Sequence, residues 1–160
     1  MSISGIHHVT IPVDDEARAE WFYGEVLGLK LKARPEFKFP GLFYLCGDNE
    51  IHLIIAGRPL AKEDLFLRID HEALITRRYI HRHAALIVSD WAGLRSRLEE
   101  HGVEILFGPD SNLENDPLAR NMVEGWLKMY GGVPIFCLDP FGNLLELIPN
   151  GKLERKRHLS

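Results

Sequence analysis

Four side chains with metal-binding chemistry recur at related places along this 160-residue chain: His8, His52, His83 and Glu146. His8 and His83 stand 75 residues apart, as do Val13 and Val88, and Asp15 and Asp90. Gly28 and Gly102 are 74 apart, and Asn49-Glu50-Ile51-His52-Leu53-Ile54 aligns with Asn143-Leu144-Leu145-Glu146-Leu147-Ile148 at an offset of 94. Self-similarity of this kind marks an internal repeat. Each of the four residues falls on a segment that reads as a strand, where alternate residues share a face. His8 therefore lies with Thr10, His52 with Glu50 and Ile54, and Glu146 opposite Leu145 and Leu147. The polar residues line one face, and their apolar neighbours pack beneath helices on the other. The same alternation sends His7 to the opposite face. Three imidazoles and one carboxylate suit one divalent transition metal ion, Zn, Ni, Fe(II) or Mn. His81, two residues before His83, shares its face as an outer partner. His71, His101 and His158 have no repeat counterpart.

The elements that carry these residues are legible in outline. Ile6–Val13 alternates as a strand. Asp14-Asp15 stands where a helix N-cap belongs, and Ala17, Trp21, Phe22 and Val26 give helical spacing up to Gly28, a C-terminal cap. Strands follow over Leu29–Ala33, Leu42–Cys46 and Glu50–Ala56, the last two joined at Gly47-Asp48-Asn49. The order then begins again: strand His83–Val88, cap Asp90, a helix ending at Gly102, then strands Val103–Phe107, Pro134–Leu138 and Leu144–Ile148. The turn Asp139-Pro140-Phe141-Gly142-Asn143 joins the last two. This organisation predicts an α+β chain of two βαβββ modules, residues 1–57 and 82–150, with a linker over 58–81 and a basic tail over 151–160. The second module holds about 20 extra residues within 108–132, with a short helix around Leu118–Leu127. An insertion of this length is expected to serve as a lid or a wall. Each module is too small to hide its sheet, so the two should pair around one cavity. Trp91, Trp126, Phe43 and Tyr130 are candidates for the pocket walls.

Composition bounds the function. With 46% hydrophobic residues and a net charge of −4, the chain has the material for a real core and is not disordered. A sequence pI near 6.1 argues against a dedicated nucleic-acid binder. No apolar run approaches the ~20 residues of a membrane-spanning helix. No secretory signal is visible at the start, so a cytoplasmic protein is expected. Cys46 and Cys137 are expected as free thiols.

Several stretches carry a family likeness. Ile6-His7-His8-Val9-Thr10-Ile11, Tyr23-Gly24-Glu25-Val26-Leu27-Gly28-Leu29, Arg82-His83-Ala84-Ala85-Leu86-Ile87-Val88-Ser89-Asp90 and Asp139-Pro140-Phe141-Gly142-Asn143-Leu144-Leu145-Glu146 resemble the vicinal oxygen chelate superfamily. That group includes glyoxalase I, bleomycin-resistance proteins, fosfomycin thiol transferases, methylmalonyl-CoA epimerase and extradiol dioxygenases. The resemblance covers about Ile6 to Pro149. It implies paired βαβββ modules in a U-shaped half-barrel and a metal that takes two adjacent substrate oxygens. It maps the ligands onto His8, His52, His83 and Glu146, and it implies a homodimer with a small-molecule substrate. This chain departs from its relatives at His52, where glyoxalase I has a carboxylate and the epimerase a Gln. Phe136 stands where extradiol dioxygenases have a Tyr, and no His lies between His101 and His158, which argues against ring cleavage. The expected function is a metal-dependent lyase or isomerase of glyoxalase type, with Glu146 as the group that moves the proton. An extradiol-type dioxygenase and a non-catalytic binding or resistance protein are the alternatives.

Overall fold

A computed structural model describes residues 3–65, 82–112 and 117–151. They form two four-stranded sheets with few helices, an α+β architecture that repeats the same strand order. The chain divides into two compact units, one of residues up to Ala84 together with Asp139–Leu144, the other of Ala85–Leu138 and the residues from Leu145.

In the first unit, β1 (His8–Val13) pairs in parallel with β4 (Asn49–Ile55). β4 pairs antiparallel with β3 (Gly41–Cys46), which pairs antiparallel with β2 (Lys30–Lys32). The sheet order is β1-β4-β3-β2. Alternation sorts the sheet into two faces. Ile11, Val13, Leu42, Tyr44, Ile51 and Leu53 are buried with Ala19, Phe22, Tyr23 and Val26 of the following helix. Each large apolar side chain removed from water in this way contributes about 1.5–3 kcal/mol. The other face carries His8, Thr10, Phe43, Glu50 and His52. Its register is fixed, with His8 beside Glu50, Thr10 beside His52, and Phe43 beside His52 on the far side.

The first helix opens as expected. The Asp15 side chain accepts from the Arg18 amide at 2.8 Å and caps α1 (Glu16–Ala19). The helix then widens into a π-helical stretch over Glu20–Val26, with the Leu27 amide donating to the Phe22 carbonyl at 2.9 Å. The spacing of Ala17, Trp21, Phe22 and Val26 suits either winding, so sequence periodicity did not separate them. Gly28 closes the stretch at φ +72°, and Gly102 closes the second helix at φ +61°. L side chains strain in that left-handed region, so both repeats end their helix on glycine.

The second sheet has the order β5-β8-β7-β6, built from β5 (Ala84–Val88), β6 (Ile105–Phe107), β7 (Ile135–Leu138) and β8 (Leu144–Pro149). All six residues of β8 are buried. Leu94 and Leu98 of α2 (Trp91–Glu100) are buried with Ile135 and Cys137. Asp90 caps α2 by accepting from the Gly93 amide at 3.0 Å, the counterpart of Asp15. The insertion carries α3 (Pro117–Met129), longer than the helix expected there. Its Trp126 packs on Phe107 at 5.5 Å and Phe136 at 5.9 Å between ring centroids.

The Asp139–Asn143 turn is fastened within the first unit. Buried Asp139 accepts from the Tyr23 hydroxyl at 2.7 Å, the Asn143 side chain at 2.8 Å, and the Asn143 and Phe141 amides at 2.7 and 2.9 Å. The Asn143 amide group also donates to the Pro12 carbonyl at 3.0 Å. A buried carboxylate satisfied in this way holds its turn in one place.

Candidate functional site

The polar face of the first sheet gathers four titratable side chains. His8 and His52 stack with centroids 4.0 Å apart and planes 12° from parallel. Strand register makes this possible, because β1 and β4 run in parallel with His8 one step behind His52. Phe43 stacks on the other side of His52 at 3.6 Å and 2°. Glu50 faces His52, with 2.8 Å between its Oε2 and His52 Nε2, and also binds the Lys32 ammonium. The Lys32 hydrogen bond, then the one from His52, holds the Glu50 carboxyl at about 2, well below the usual carboxylate range. An ionised carboxylate needs a donor, which puts a proton on His52 Nε2; in the neutral ring Nδ1 is then the lone-pair atom. Desolvation, followed by His52 and His7, lowers the pKa of His8 and favours its neutral form.

His7 departs from the alternation expected of it. β1 begins at His8, so the pleat does not set the direction of His7. Its ring stands edge-on to His8 at 5.2 Å, with the two Nδ1 atoms 2.9 Å apart, and its Nε2 lies 3.9 Å from Glu50. Alternation sets Glu50 on the His52 face without marking it as a functional residue. Its importance comes from Lys32, a cross-sheet neighbour that linear spacing does not reveal.

The remaining expected ligands lie apart from this cluster in the chain's order. His83 is half-buried, one residue ahead of β5. Glu146 lies in mid-β8 in the second unit and is 6% exposed. Burial, and then the Glu146 carboxylate, pushes the Tyr130 hydroxyl up, which places these two in one electrostatic neighbourhood. Of the expected wall aromatics, Phe43 lines the His52 ring, Trp126 is buried on Phe107 and Phe136, and Trp91 is half-buried at the start of α2. His71, His81 and His158 lie outside the described residues, as does most of the linker and the basic tail.

The donor chemistry fits a divalent ion: two adjacent imidazoles, one oriented by a carboxylate, are the usual form of a histidine metal ligand. Among the described residues no three His, Cys, Asp or Glu side chains are grouped to hold an ion. Stacked rings direct their in-plane lone pairs side by side, so joint ligation by His8 and His52 requires a ring to change rotamer.

Residues 5–147 match the Glyoxalase/Bleomycin resistance protein/Dioxygenase superfamily. The chain belongs to that superfamily. Solved structures share the glyoxalase fold across almost all of both chains. A Bacillus anthracis protein assigned to the glyoxalase family is 23% identical, with 94% of this chain and 98% of that one covered and a TM-score of 0.60. Lactoylglutathione lyase from Agrobacterium tumefaciens is 21% identical, with coverage of 96% and 98% and a TM-score of 0.55. The fosfomycin resistance protein FosX from Listeria monocytogenes is 17% identical, with coverage of 96% and 98% and a TM-score of 0.58. No curated protein matches the chain by sequence. The glyoxalase fold accounts for the repeated βαβββ order. No helix among the described residues is long and apolar enough to cross a membrane.

Proposed function

We propose that this superfamily member is a metal-dependent lyase or isomerase of glyoxalase type, acting by proton transfer on a small substrate with two adjacent oxygens. The observation that carries the reading is the His8–His52 pair on one sheet face, with ionised Glu50 behind His52. His8, His52, His83 and Glu146 would hold one divalent ion, Zn, Ni, Fe or Mn, which would supply stabilisation of negative charge on a substrate oxygen. Glu50 holds His52 in one tautomer. Glu146 accepts the proton from the carbon next to the substrate carbonyl and returns it to the neighbouring atom. Phe136 is packed against Trp126 at the position where ring-cleaving relatives carry a Tyr, which favours proton transfer over ring cleavage. The reading extends to a homodimer working in the cytoplasm.

The test is a calorimetric metal titration of the chelator-treated chain, with turnover measured on an α-oxo thiohemiacetal and an acyl-CoA. One ion per chain is expected, with affinity lowered by orders of magnitude in His83→Ala. Glu146→Gln should keep part of the metal affinity and lose about two to four orders of magnitude in turnover, the scale of general-base loss. Solvent deuterium exchange at the substrate α-carbon should disappear with it. A stoichiometry near zero would sink the reading.

A further inference from the structure

Beside the histidine pair, the first unit builds a second feature that proton transfer does not use. The chain between β2 and β3 folds back on itself, and Arg34 fastens it. Arg34 Nη2 donates to the Phe39 carbonyl at 2.8 Å and Nη1 to the Gly41 carbonyl at 3.3 Å. The guanidinium carbon stands 5.2 Å from the Phe37 ring centroid, 5.2 Å from Phe39 and 5.4 Å from Phe43. Phe37 and Phe39 stack at 5.1 Å with planes 14° apart. Phe37 reaches Phe43 at 6.0 Å, and Phe43 lies flat on His52. Phe37, Phe43, His52 and His8 thus form one continuous row of rings.

Two properties of this row point to a ligand. Phe37 and Phe39 are 45% and 42% exposed, side by side, so the row offers water an aromatic ledge. Contiguous exposed apolar surface of this kind marks binding sites. Arg34 is half-buried, its Nε is enclosed without a partner, and it forms no ion pair among the described residues. Its two carbonyl bonds use one N–H on each Nη and leave one on each uncommitted. A guanidinium held over rings, with one N–H uncommitted on each Nη and no ion pair among the described residues, can receive a carboxylate. Lys32, on the same sheet face, is already committed to Glu50.

We propose that Arg34, Phe37, Phe39 and Phe43 form a recognition subsite for a ligand that joins a carboxylate to an aromatic group. The inference names the substrate class for the function proposed above and rests on that reading for the reaction, though not for the binding.

The test is an NMR titration of the full chain, first metal-free and then with added zinc, using 2-naphthoate and the neutral 2-naphthylmethanol. In the metal-free chain, naphthoate should give saturable shifts across residues 33–43 and His52. It should bind about tenfold more tightly than the alcohol, the scale of one charge-assisted hydrogen bond. Arg34→Gln should abolish that preference and keep the weaker alcohol binding, and Phe37→Leu should weaken both. Equal affinity for acid and alcohol overturns the proposal. So do shifts centred on His8 and Lys32, or a folded Arg34→Gln that keeps the preference. Should Arg34→Gln fail to fold, the wild-type comparison together with Phe37→Leu decides. A failed metal titration leaves this subsite standing, and a failed naphthoate titration leaves the metal reading standing, so the two are tested separately.

Discussion

Glu50 is the residue on which the candidate site turns, because it couples Lys32 in β2 to His52 in β4. Its carboxyl, held at about 2 against an ordinary 4.5, is depressed in the folded chain. A depressed acid contributes stability that is fully present above its unfolded pKa and is lost as pH falls through the folded value. The window for Glu50 therefore runs from about 4.5 down to about 2. Lys32→Met removes the ammonium hydrogen bond that holds Glu50 down most strongly, so carbon-detected titration of the Glu50 carboxyl should show its midpoint rising toward 4.5. The His52 ring resonances should follow the same midpoint, since the two share a hydrogen bond. A midpoint that stays at about 2 in Lys32→Met would assign the shift to His52 instead. The residue types at the site were open to reading from sequence: His8 and His52 on one face follow from period-two alternation. The Lys32 link was not, because cross-sheet neighbours depend on strand order.

At the scale of elements, the β3–β4 pair fixes where His52 and Phe43 meet. Gly41 begins β3 opposite Ile54, and a Cβ there would run into the Leu53 carbonyl oxygen, a backbone atom that cannot swing aside. Gly41→Ala should therefore lower stability by about 1–3 kcal/mol, the range for overpacking, with the strands forced apart at that end. Urea unfolding measures the loss, and the same variant should disturb the Phe43–His52 stack, read from ring-current shifts of the His52 protons. A variant as stable as the parent, with unchanged His52 shifts, would show that this end of the sheet gives way freely. Both helix caps, Asp15 and Asp90, and both closing glycines were legible, since each is a local signal beside an apolar run. The π winding of Glu20–Val26 was not, because apolar positions four residues apart suit either helix. The direction of His7 was also out of reach, because it depends on where β1 starts, and strand ends are set by pairing rather than by pattern.

For the whole chain, the length mismatch between the repeats resolves into α3 and its flanking turns. Trp126 is 8% exposed on Phe107 and Phe136, while Leu127 and Met129 of the same helix face water. β8 is buried at every residue. With its outer side chains in water and β8 fully buried, α3 should open far more readily than Leu144–Ile148 in hydrogen exchange. Equal protection of the two would make the insertion a fixed wall. The repeat and the order of elements along the chain were countable from sequence, but the assignment of the Asp139–Asn143 turn to the first unit was not, since it depends on hydrogen bonds to Tyr23 and Pro12. That assignment bears on how the protein is made. Residues Asp139–Leu144 complete a unit whose other members end at Ala84, so on the ribosome the first unit waits for more than fifty further residues before Tyr23 and Pro12 find their partners. Closure at such sequence separation is slow, and the Tyr23 hydroxyl and the Pro12 carbonyl stay open to water until it happens. A nascent chain halted before Asp139 should therefore leave its N-terminal unit unfinished, however well the first four strands pair.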